Sequence, residues 1–259
     1  MIAETAQAAR VPSGHYRFGQ AARMEWIKLR TLRSVRWSLL IALAGMIGIG
    51  IAAGFNTRNP RGDVTNNILA GGALGSLMFA VLGVLVMTSE YSSGTIKATL
   101  AAIPRRPLML AAKAAVFGAV ALVAGELATF AGFLAGAAFV HGGVPQPTLS
   151  QPAVLRAVTL SGGYLCLIGL TGLGIGAIVR RAAAAIAVLV ILVFVAPLAG
   201  LAATPAGKFL PELIYANSLG ATRPVAGFTL SPWAGFGIIC GYAAVVLAAG
   251  GWLLTRRDA

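Results

Sequence analysis

The stretch Ser89–Lys113, SEYSSGTIKATLAAIPRRPLMLAAK, follows an apolar run that ends near Thr88 and precedes another that starts near Leu108. A polar interval between two such runs must lie at a membrane surface. Four of its residues are basic (Lys97, Arg105, Arg106, Lys113) and one is acidic (Glu90), a bias that places that surface in the cytoplasm. Gly94 is a poor interior helix residue and separates the preceding span from a short helix expected over Thr95–Ile103. Pro104 stops that helix, because it lacks an N–H and restricts Ile103 before it. Ile96, Leu100 and Ile103 fall at i, i+4 and i+7 on one apolar stripe, with Lys97 away from it. Such a helix can dock in a groove on another protein. The same residues also describe a connecting loop whose charges only anchor two spans.

The rest of the chain carries the membrane reading outward. Of 259 residues 58% are hydrophobic and 10% charged, with a mean hydropathy of +0.85, whereas a typical soluble domain carries about 25% charged residues. The net charge of +13 is then explained by Lys and Arg flanking membrane spans. With no basic patch interleaved with exposed aromatics, nucleic acid is not expected as a partner. Apolar runs of about 20 residues give six expected spans, 37–55, 68–88, 108–140, 157–179, 183–203 and 233–254. The third is too long for a straight span, so it tilts or begins as an interfacial helix before Lys113. An even number of spans puts both termini on one side. With the termini inside, fifteen of the 20 Lys and Arg fall on the cytoplasmic side and five (Arg58, Arg61, Arg156, Lys208, Arg223) outside, which favours this orientation.

The chain divides into a basic cytoplasmic segment, 1–36, and a membrane domain, 37–259. From Phe18 onward, Phe18, Ala22, Trp26 and Leu29 share one helical face, which predicts an interfacial helix on the inner leaflet. Glu25 and Arg36 fall on the same face and spoil the stripe. The bland alternative is a solvated basic tail. Between spans five and six, Thr204–Pro232 is too short to cross and too apolar to float free. Its prolines cut it into pieces such as Glu212–Leu219, which predicts short helices dipping into the outer leaflet, with a folded surface loop as the alternative. Gly169, Gly172, Gly174 and Gly176 crowd the fourth span, a pattern that lets helix backbones approach closely.

Glu126 is the acid that lies well inside a span. A charge there costs about 2.5–3.5 kcal/mol on insertion scales, so it either lines a translocation path or is protonated against a neighbouring helix. Catalytic and metal readings have no motif behind them. Cys166 and Cys240 stand singly in different spans, His15 and His141 fall on opposite sides, and no GxSxG, HExxH or paired carboxylates occur. Gly207-Lys208 is followed by Phe209, so it is not the GxxxxGK[ST] loop that cradles nucleotide phosphates. No cofactor is expected on this chain. If it belongs to a pump, the ATPase is another polypeptide.

Glu90-Tyr91-x-x-Gly94-Thr95-Ile96-x-x-Thr99-Leu100-x-x-x-Pro104-Arg105-Arg106, followed by Ala112-Lys113, resembles the cytoplasmic loop of the ABC-2 type permeases, the membrane subunits of one class of ABC transporters. The resemblance implies an all-α integral membrane protein of the cell (inner) membrane with six transmembrane helices. It further implies an N-terminal interfacial helix, a coupling helix between spans two and three, and re-entrant helices between spans five and six. It implies a separate cytosolic ATPase subunit carrying ATP and Mg, a second permease copy or close relative, and export of a drug, lipid or similar apolar or amphiphilic cargo. The coupling residues would be Glu90, Tyr91, Gly94, Thr95, Ile96, Lys97, Thr99, Leu100, Ile103, Pro104, Arg105, Arg106 and Lys113, with Glu90 pairing with a nearby cation or capping a helix. A non-transporting anchor or immunity-type protein, and behind it a secondary transporter, are the readings from other classes.

Overall fold

The computed structural model describes residues 17–57, 63–95, 106–141, 143–195, 204–220 and 229–256, and among them every regular element is helical. We label the helices α1 (Phe18–Thr31), α2 (Arg33–Asn56), α3 (Val64–Leu69), α4 (Gly71–Ser92), α5 (Arg106–Ala138), α6 (Pro152–Val179), α7 (Ala182–Val190) and α8 (Pro232–Arg256). Five stretches are long and apolar enough to cross a membrane: α2, α3 with α4 (Val64–Ser92), α5, α6 and α8. They mark an integral, multi-pass membrane protein, because about 20 apolar residues cover the hydrocarbon core as a helix that satisfies its own backbone.

Local chemistry sets several helix ends. Asp63 caps α3 by accepting from the Asn66 N–H at 3.1 Å. Pro152 opens α6, and Arg180 closes it in a left-handed conformation, φ 62°. α4 ends at Ser92, and Gly94 follows with φ +69°, a conformation that glycine adopts without a Cβ penalty. The break expected at Gly94 is therefore present.

α6 is the central helix, packed by α4, α5 and α8. Its glycine face makes this closeness possible. A Cβ on Gly83 of α4 would fall 1.9 Å from the Gly169 carbonyl oxygen, and one on Gly172 would fall 2.2 Å from the Ala80 carbonyl. The α2–α5 seam uses the same device twice, Gly50 against Gly132 and Gly54 against Gly136, a small-xxx-small spacing on each helix. Tyr164, Phe79, Phe133, Leu165 and Leu173 fill the interior.

Several expectations need adjustment. A break at Leu32 precedes α2, which begins at Arg33, ahead of the expected first span, 37–55. The third span does not divide before Lys113 but runs unbroken for 33 residues, about 50 Å at 1.5 Å per residue, so it must tilt or project beyond the roughly 30 Å core. Of the fifth expected span, nine α-helical residues and five in a π turn, Ile191–Val195, are seen, and residues 196–203 lie outside the described set. The outer segment forms a 3-10 turn (Pro205–Phe209), one α turn (Pro211–Leu213) and a π turn (Ile214–Ser218). Ile214, Tyr215 and Leu219 are buried, so this segment packs onto the bundle rather than standing off as a loop.

Candidate functional site

α1 lies across the start of α5. Ala21 packs with Met109 and Ala112, and Ala22, Met24, Tyr91 and Leu108 border that patch. This orientation turns Ala21, Glu25 and Leu29 inward and leaves Phe18 and Trp26 exposed. The apolar stripe expected through Phe18, Ala22, Trp26 and Leu29 is thus split between two faces. Glu25, which looked like a flaw in it, is at the centre of the buried face because a cation waits there.

That cation is Lys113, in the second turn of α5. Its ammonium donates to Glu25 Oε2 at 2.6 Å and to Glu90 Oε1 at 2.8 Å. Lys28, one turn beyond Glu25, donates to the same Glu90 oxygen at 2.8 Å and to Glu25 Oε1 at 3.4 Å. Glu25, Lys113, Glu90 and Lys28 therefore close a ring of alternating charge that joins α1, the last turns of α4 and the start of α5. Glu25 and Lys113 are each 2% exposed, and Lys28 forms the open edge at 35%. The ring is electrically neutral. Each member offsets the desolvation of its neighbours, and removing one would strand an opposite charge in the interior.

Burial alone would lower the Lys28 ammonium, but its hydrogen bond to Glu90 and the charges of Glu25 and Glu90 outweigh burial and hold its pKa above the ordinary 10.5. Glu90 Oε2 is buried and finds no hydrogen-bond partner among the described residues. A cavity of about 400 Å³ opens beside the ring, bordered by Lys28, Leu32, Val86, Ser89, Glu90 and Thr95.

A second layer surrounds the ring. The Arg180 guanidinium stands 5.6 Å from the centre of the Tyr91 ring, within reach for a cation–π contact. Arg106 donates to the Leu254 carbonyl at 2.8 Å and so ties the start of α5 to the end of α8. Ser93 and Thr95 hydroxyls meet at 2.8 Å across Gly94. Of the residues expected to form the coupling element, Glu90 and Lys113 share the ring, while Tyr91, Gly94, Thr95 and Arg106 stand around it. Ile96, Lys97, Thr99, Leu100, Ile103, Pro104 and Arg105 lie outside the described residues.

Glu25 and Lys28 are the site members that the sequence reading missed. Their signal was an acid standing where an otherwise basic helix should be apolar. Glu126 does not join this site. Its carboxylate lies over Gly162 of α6, where a Cβ would come 2.5 Å from the carboxyl carbon, and Oε2 is buried without a hydrogen-bond partner among the described residues. Cys166 and Cys240 are free thiols, and no cluster of His, Cys, Asp or Glu among the described residues could hold a metal ion. The sequence matches no model of a known protein family and no curated protein.

Proposed function

We propose that the chain is the membrane subunit of an ATP-driven exporter of the ABC-2 permease kind, coupled to a separate ATPase subunit through the segment that begins at Glu90. The observation that carries this reading is the buried charge ring. It links the end of α4, the start of α5 and helix α1, and the chain from α4 to α5 runs through the segment 95–105, so a push on that segment would reach three helices together. A simple connector between two spans needs no such linkage. The quoted loop motif supports the same reading from the sequence side.

On this proposal the chain has six spans, with α7 and the residues after it forming the fifth, and both termini are cytoplasmic. Thr95–Ile103 is the coupling helix, and segment 204–232 is re-entrant from the outer side. A second permease subunit completes the path. ATP and Mg are bound by the ATPase. Glu126, whose buried oxygen finds no hydrogen-bond partner among the described residues, would line the path of an apolar or amphiphilic cargo. The test is reconstitution of the chain with its co-purifying ATPase in vesicles. ATP-dependent movement of an amphiphilic dye supports the proposal, whereas a chain that purifies without an ATPase and moves nothing points to an anchor or immunity-type protein.

A further inference from the structure

The other end of the bundle holds a second polar site. Ser76 precedes Glu90 by fourteen residues of α4, about 21 Å along the helix at 1.5 Å per residue. Over that end folds the segment 204–220. Tyr215 Oη donates to the Leu69 carbonyl at 2.5 Å and Asn66 Nδ2 donates to the Ala216 carbonyl at 2.8 Å. Glu212, on the α turn of this segment, points back into the bundle, where its Oε2 accepts from Ser76 Oγ at 3.3 Å and from Tyr164 Oη at 3.2 Å. Both donors are neutral, and among the described residues no cation pairs with this carboxylate. Beside it lies a cavity of about 280 Å³ bordered by Glu212, Asn66, Asn67, Ala73, Ser161 and Tyr215.

We infer that this cavity binds a small organic ammonium ion, with Glu212 as its counter-charge and the side-chain oxygens of Asn66, Asn67 and Ser161 as further acceptors for its N–H groups. Among the described residues of the lining Glu212 carries the formal charge, and an anionic ligand would meet its repulsion. A purely apolar one would shut water away from the lining carboxylate and amides without supplying a donor to their remaining acceptor sites. A transition-metal ion would want a cluster of His, Cys, Asp or Glu ligands, and the described residues contain no such cluster. An ammonium has only donors, and the lining supplies acceptors. Burial pushes the Glu212 carboxyl up, against the hydrogen bonds from Tyr164 and Ser76 that pull it down, and a bound cation would favour its ionised form. The site does not depend on the coupling proposal, since neither uses a residue of the other.

The test uses the full chain purified in detergent and titrated calorimetrically with hexylammonium chloride at pH 8, with hexanol as the uncharged control. Saturable binding of hexylammonium but not hexanol is expected, weakened about tenfold or more in Glu212→Gln. Binding should also fall as acidification protonates Glu212. The other titratable groups facing it, the Tyr164 and Tyr215 phenols, ordinarily titrate near pH 10 and would not contribute. Equal binding of hexanol, or unchanged affinity in Glu212→Gln, would overturn the inference. Should Glu212→Gln fail to fold, maleimide labelling of Ala73→Cys, on the lining but not one of the proposed acceptors, counted over the background of Cys166 and Cys240, supplies the decision. Hexylammonium should protect the introduced thiol, and absence of protection rejects the site.

Discussion

Lys113 Nζ lies 2.6 Å from Glu25 Oε2, a contact that joins residues 88 apart in the chain and fixes the surface helix α1 to the first turns of α5. Both side chains are almost fully buried, so the contact is a commitment of the fold rather than a surface pairing. With Glu90 and Lys28 it ties α1, α4 and α5 together through side-chain ion pairs.

Lys113→Met should therefore destabilise the protein by about 3–5 kcal/mol, the range seen when one partner of a buried pair is removed. Glu25→Gln added to Lys113→Met should recover part of that loss, because the two changes share one interaction. Unfolding in detergent of both single variants and the double variant gives the coupling. Strict additivity would mean that the ring does not act as a unit.

The ring also predicts an alkaline limit. The Lys28 pKa is raised in the folded state, so its contribution is fully present below its unfolded value and is lost as pH rises through the folded value, above 10.5. The stability difference between the native chain and Lys28→Met should be constant from pH 7 to 9 and shrink beyond pH 10.5. A difference that instead disappears on mild acidification would assign it to another group.

Glycine positions give a packing prediction with its own control. Gly83→Ala would place a methyl on the Gly169 carbonyl, whereas a Cβ at Gly48 meets nothing within 4 Å. Thermal unfolding should show Gly83→Ala destabilised by about 1–3 kcal/mol or more, with Gly48→Ala close to the native chain.

Apolar runs longer than a membrane is thick were visible at once, since their period and length are local properties, and so was the stop at Gly94. The crowded glycines around Gly169 announced a close approach without naming the partner, which only the packing of α4 on α6 reveals. Gly50, Gly54, Gly132 and Gly136 carry the same spacing in two other spans and could have been found by searching for it. Glu90 invited a cation, yet Lys28 and Lys113 are 62 and 23 residues away, and one sequence does not record such pairings. Glu25 was legible only as an anomaly. Hydropathy alone does not decide whether the expected fifth span, 183–203, crosses as one helix, because apolar residues favour a crossing helix and a folded-back turn alike.

The central claim is that the segment after Glu90 receives the motion of an ATPase, and the apolar stripe expected from Ile96, Leu100 and Ile103 gives the most direct test. The full chain, tagged and extracted from its native membrane in mild detergent, is compared with Leu100→Asp at matched insertion, and Mg-ATP hydrolysis retained on the resin is measured. Burying an unpaired carboxylate at a packed contact costs several kcal/mol, about 3–5 by analogy with broken buried pairs, so the native chain should retain ATPase activity and Leu100→Asp should lose nearly all of it. A Leu100→Asp protein that inserts normally and holds as much ATPase as the native chain would show that the segment is a connector and contradict the account.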